Sequence, residues 1–292
     1  MFKMSEYSFI AAFIALGLAT LLYAWYFVGL RRARMLLALE TGAPGAGVTT
    51  EATSSSAGWY GTLLAANAVA FLTLSLIFRT IATGHGPFAN MYEFSVAFTW
   101  GILIVYLYVE RRFQARALGA FVTPIAVAMM WYASTVPSNV EPLVPALQNN
   151  LLLTVHVAVA IVAYGAFSVA FGGAILYLLQ RDDAVEWLPS SAVLDELSYR
   201  SVIIGFPMMA LVIILGAVWA DVAWGTYWSW DPKETASLVT WLVYGGYLHA
   251  RSVRGWRGIR SALLLLLGFG LTLLTYFGNL FFGGLHSYSG LV

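Results

Sequence analysis

What most limits the fold of this chain is a succession of long apolar windows. A helix crossing a bilayer needs about 20 predominantly apolar residues. Eight stretches of the 292-residue sequence approach or exceed that, at 7–30, 59–81, 92–109, 117–134, 151–180, 202–222, 235–249 and 261–282. The seventh is short, so its helix is expected to begin earlier, within "DPKE" at 231–234. Inside hydrocarbon every backbone polar group must be satisfied by the chain itself, which leaves helices or closed barrels. Windows of this length favour helices. The expected fold class is therefore all-α: a polytopic integral membrane helical bundle of about eight transmembrane helices. Composition agrees, with 60% hydrophobic and 10% charged residues, where soluble domains carry about 25% charged.

The first window is too long for a removable signal peptide and has no small-residue cleavage site. The Ala/Gly/Ser/Thr-rich stretch 41–58 has the composition of a flexible linker, and 182–200 is polar enough for a short surface helix. No internal repeat is evident. Basic residues give the orientation, because cytoplasmic loops of membrane proteins are enriched in them. Twelve of the 15 Lys and Arg fall on alternate loops. They are Arg31, Arg32 and Arg34; Arg111, Arg112 and Arg116; Arg181 and Arg200; and Arg251, Arg254, Arg257 and Arg260. Both termini are then expected to be extracytoplasmic, and the 41–58 linker cytoplasmic. A formal net charge of +1 offers no surface for nucleic acid. The absence of cysteine excludes disulfides, thiolate metal sites and thiol chemistry by this chain.

The four histidines sort by this topology. His156 opens the fifth window and His286 lies just past the eighth, so both belong to the outer side. His85, in "GHGPFANMYEF", is also outer. His249 lies 18 residues beyond Asp231, about 27 Å along a helix, and so falls near the inner boundary. An ionisable residue in a membrane protein suggests a site, although interfacial histidines also serve as plain hydrogen-bonding groups. Imidazole ligates iron, copper and zinc. Two imidazoles approaching from opposite sides, beside indole rings, suit a flat metal macrocycle.

Those indoles come from "WGTYWSWDPKE" at 224–234, between the sixth and seventh windows. Tryptophans at membrane interfaces are ordinary, and Trp59, Trp100, Trp131 and Trp256 fit that role. Trp224, Trp228 and Trp230 are too crowded for it, and 223–234 is expected to form a shaped extracytoplasmic loop. Asp231 is placed to cap the next helix, with Pro232 at its first position and Glu234 completing a capping box.

Together, "WGTYWSWDPKETASLVTWLVYGGYLHARSVRGWRG", "GHGPFANMYEF", "HVAVAIVAYGAF" and "LHSYSG" resemble the CcsA/ResC proteins, the WWD-motif haem-handling family of System II cytochrome c biogenesis. The resemblance runs from about Trp59 onward, and "WDPKET" with "YLH" at the end of the following helix favours CcsA. It implies that His156 and His286 are the external haem ligands, and that Trp224, Trp228, Trp230 and Asp231 form the WWD platform. It implies that His249 helps bind haem near the inner side; His85 is not assigned. The implied function is haem transport and covalent attachment to a Cys-x-x-Cys-His apocytochrome c at the extracytoplasmic face, as a subunit of a holocytochrome c synthase. Haem b would be bound transiently, as substrate. The implied partners are a CcsB/ResB-type membrane subunit, the apocytochrome and, indirectly, thiol-reducing proteins. The implied membrane is a bacterial inner membrane or a thylakoid. The competing readings are a dihaem b-type redox membrane subunit, with its histidine pairs inside the bundle, and an aromatic-lined transporter.

Overall fold

The computed structural model describes residues 1–41, 51–139, 150–180, 188–278 and 281–286, with side chains for these except 31–41, 51–55 and 150. Among the described residues there are eight α-helices and no strand: α1 Phe2–Thr41, α2 Glu51–Thr83, α3 Met91–Phe113, α4 Gly119–Thr135, α5 Asn150–Leu179, α6 Ser191–Trp224, α7 Pro232–Arg254 and α8 Ile259–Phe277. The protein is an all-α membrane bundle. Seven helices are long and apolar enough to cross a membrane. The remaining one, α7, falls short in hydropathy and not in length. Its 23 residues extend about 34 Å at 1.5 Å each, but Lys233, Glu234, His249, Arg251 and Arg254 lie along it.

Three boundaries differ from the sequence-based expectation. Of the stretch 41–58, residues 42–50 lie outside the described residues, whereas 51–58 belong to α2. Once the apolar run has nucleated a helix, extending it through Glu, Ala and Ser costs only tenths of a kcal/mol per residue. The short surface helix expected within 182–200 is instead the first part of α6. Ser190 caps it by accepting from the Val193 N–H, and no breaker separates Ser191 from the apolar run; 181–187 lie outside the described residues. Trp224, expected in the 223–234 loop, closes α6, which ends on Gly225 in the left-handed region at φ 74°. Glycine adopts that conformation without a Cβ penalty.

α5 sits at the centre, packed against α3, α4, α6 and α8, while α1 pairs with α2 and α7 with α8. Small residues let backbones approach in such bundles. A Cβ on Gly165 would stand 3.1 Å from the Gly101 carbonyl oxygen, and one on Gly101 would fall 2.0 Å from Ile161 Cγ2, so α3 and α5 pack closely at these two glycines. At one end of α3, Tyr23, Thr62 and Tyr106 all donate to the buried Glu110 carboxylate. At the other, buried Arg79 donates from Nε to Glu93 Oε1 at 2.8 Å, and from Nη2 to the Ser138 carbonyl at 2.6 Å. Glu93 Oε2 accepts the Ala89 N–H at 2.7 Å, and Asn90 caps α3 through the Glu93 N–H. A desolvated ion pair with its remaining hydrogen bonds satisfied holds geometry more than it adds stability. Here it holds the start of α3, the helix that supplies one wall of the cavity described next.

Candidate functional site

A partly open cavity of about 110 Å³ lies where α3, α5, α6, α7 and the residues after α8 converge. Met91, Phe94 and Phe98 line it from α3, and Tyr164 and Tyr276 reach it from α5 and α8. His156, His286 and Trp228 also face it, as do Trp219 and Lys233.

His156 stands in the second turn of α5 and packs over α6 at a bare backbone position. A Cβ on Gly216 would lie 3.1 Å from its Cε1. The His156 Nδ1 is buried and, among the described residues, meets no hydrogen-bond partner, an uncommon condition for a buried polar atom. His286 arrives from beyond α8. Its Nδ1 donates to Asp231 Oδ1 at 2.9 Å, which leaves the lone pair of the imidazole on Nε2. The buried Trp219 ring adjoins both histidines, 6.1 Å from His156 and 5.8 Å from His286 between centroids. Trp224 meets the His286 ring edge-on at 5.0 Å.

Asp231 does three things at once. Its Oδ1 accepts the Lys233 N–H at 2.9 Å, capping α7, as well as the His286 Nδ1–H. Its Oδ2 accepts the Leu285 N–H at 2.6 Å. The capping box is completed by Glu234, whose Oε2 accepts the Asp231 N–H at 3.1 Å and the Ser229 N–H at 2.9 Å. Gly284 makes the approach possible, since a Cβ there would fall 2.2 Å from Asp231 Oδ2. Burial pushes the Asp231 carboxyl up, but the hydrogen bonds from His286 and from the Lys233 and Leu285 amides outweigh it and hold it at about 2. Burial, with the Lys233 charge, takes His286 below its ordinary 6.5 in spite of Asp231. The imidazole is thus kept neutral, the form that binds metals.

The structure brings together His156, His286, Trp224, Trp228 and Asp231. The three motif tryptophans do not form one wall. Trp228 lines the cavity, Trp224 supports His286, and Trp230 is 68% exposed with its ring edge-on to Trp228 at 5.7 Å. Trp230 also takes φ 59°, uncommon for a bulky residue. His249 is exposed on α7, 17 residues from Pro232 and about 26 Å along the helix, away from the cavity. His85 bonds through Nδ1 to the Gly86 carbonyl at 2.8 Å and does not line it. Sequence reasoning missed Trp219, an unremarked aromatic in an apolar span, and the link from Asp231 to His286. The only hint of that link was the Asp-Pro that suggested a cap.

Among the described residues no three His, Asp or Glu side chains gather as a site for a bare metal ion. Two imidazoles, aromatic walls, the Lys233 ammonium and the Glu234 carboxylate are what the cavity offers. A helical membrane bundle with such a cavity fits one class of protein on sequence as well. The pattern of the cytochrome C assembly protein family matches residues 88–286, a stretch containing every residue that lines the cavity. The chain belongs to that family, as a CcsA-type cytochrome c biogenesis protein. It is 39% identical to the cytochrome c biogenesis protein CcsA of Guillardia theta, over 76% of this chain and 84% of that one. It is 35% identical to the protein of the same name from Gloeobacter violaceus, over 96% and 95% respectively. The fold is similar to that of the cytochrome c heme lyase CcmF, with a TM-score of 0.63 at 20% sequence identity. That match covers 92% of this chain and 46% of CcmF.

Proposed function

We propose that the cavity holds haem between His156 and His286, and presents it at the extracytoplasmic face for attachment to a Cys-x-x-Cys-His apocytochrome c. The observation that carries this is the pair of imidazoles facing one cavity, one with a buried Nδ1 that meets no hydrogen-bond partner among the described residues and the other oriented by a carboxylate. A metal-binding histidine ordinarily has its second nitrogen held in this way, and that contact sets tautomer and ring direction. The bound group supplies the iron and the two vinyl carbons that take up the cysteine thiols. The chain supplies position: ligation, aromatic walls, and the high effective concentration that positioning gives. The thiols come from the apocytochrome, which fits a chain without cysteine. His249 is assigned to a second site near the cytoplasmic side, on the exposed flank of α7, with its other ligand from a CcsB/ResB-type membrane subunit. Haem would move from there to the outer cavity. The grouping of twelve arginines at alternate ends of the apolar spans supports extracytoplasmic termini and a periplasmic or lumenal cavity. A dihaem b-type subunit is disfavoured, because only two of the four histidines share a cavity.

The test is a visible spectrum of the purified protein, with cytochrome c formation in cells that also carry the partner subunit. His156→Ala and His286→Ala should each lose the low-spin haem signal and cytochrome c assembly, with partial recovery when imidazole is added. Normal assembly by the double variant would sink the assignment.

A further inference from the structure

Among the described residues that line the cavity, Lys233 is the one lysine or arginine. Its ammonium has neither a carboxylate nor a carbonyl within hydrogen-bond distance among the described residues. The nearby acids are already committed: Asp231 to His286 and to two backbone amides, Glu234 to Ser229 and the Asp231 amide. Lys233 is half-buried, and a cation partly withdrawn from water favours an anionic partner. What the cavity wants beside Lys233 is an anion.

Resting on the haem assignment above, we propose that Lys233 receives a carboxylate of the cargo, one porphyrin propionate. Axial imidazoles hold an iron but leave the macrocycle free to turn about the axis joining them. A charge contact at the rim removes that freedom and selects which edge of the macrocycle faces Tyr227 and Trp228, which also line the cavity. Lys233 is a positioning residue in this scheme. It enters the cavity from the first turn of α7, the helix that Asp231 caps, so one capped turn places both the support of His286 and the rim contact.

The test uses the purified full chain, titrated with haem b and with its dimethyl ester, in which both propionates are masked. The wild-type protein should bind haem about tenfold tighter than the ester, as expected for a hydrogen bond to a charged group. Lys233→Met should reduce that preference to about twofold or less, with the same low-spin spectrum at saturation. Lys233→Arg should restore most of it. A Met variant that keeps the full preference overturns the inference. If neither ligand gives a low-spin spectrum with the wild-type protein, the haem assignment itself falls, and the role of Lys233 with it.

Discussion

Asp231 and His286, 55 residues apart in the chain, are joined by a 2.9 Å hydrogen bond from Nδ1 to Oδ1. The same carboxylate caps α7 and accepts the Leu285 amide. The Asp231 side chain therefore ties the tail beyond α8 to the start of α7. Replacing Asp231 with Asn keeps an acceptable cap but loses the charge that orients the imidazole. Removing such a supporting contact typically costs 10–100-fold in metal affinity. Haem affinity of Asp231→Asn should fall by about that factor, with little change in thermal stability. An unchanged affinity would confine Asp231 to capping.

The pH dependence follows from the directions of the two shifts. The Asp231 carboxyl is held below its ordinary 3.8, at about 2. Its contribution to stability is full above 3.8 and is lost as pH falls towards 2. His286 is held below 6.5, so below pH 6.5 the unfolded chain takes up a proton that the folded site refuses. Stability should thus decline as pH drops from 6.5 towards the depressed value, and level off above 6.5. Haem affinity should be flat above pH 6.5 and fall only below the depressed value, where protons compete for the imidazole. Removing the Asp231 charge takes away an influence that raises His286, so Asp231→Asn should move the acid limb to lower pH. A limb shifted upward would contradict this assignment.

Gly284 gives a third expectation. An added Cβ would sit 2.2 Å from Asp231 Oδ2 and 3.0 Å from Pro232 Cδ, so the tail must move away. Gly284→Ala should mimic Asp231→Asn in haem affinity while the protein accumulates normally in the membrane. Spectral titration, normalised to protein level, measures it. Wild-type affinity would mean that the tail tolerates displacement.

Trp228 and Trp230 should separate. Trp228 lines the cavity, and aromatic contacts of this kind contribute about 0.5–1.5 kcal/mol beyond burial, or about 2- to 12-fold in affinity. Trp228→Ala should lower haem content by that order. Trp230 is mostly exposed beside it, so Trp230→Ala should leave haem content near wild type and reduce covalent cytochrome c per bound haem. Product that falls only in proportion to haem content, in both variants, would mean that these rings bind without orienting.

The membrane bundle was legible from residue order alone, because hydrocarbon requires helices of a minimum length and that requirement is written locally. So were the α7 cap, since Asp-Pro-x-Glu is a local device, and the candidacy of His156, His286 and the tryptophans. Residue order also carried the grouping of twelve arginines on alternate loops. Tertiary structure alone decided which aromatics face the cavity: Trp219 was hidden in an apolar span, while Trp230 proved mostly exposed. Only the fold showed that Asp231 reaches His286, that Gly284 must lack a side chain for it to do so, and that Lys233 enters the cavity. Helix lengths follow from neighbours in sequence. Contacts between a loop, a helix start and a distant tail depend on how eight helices pack, and no local pattern encodes that.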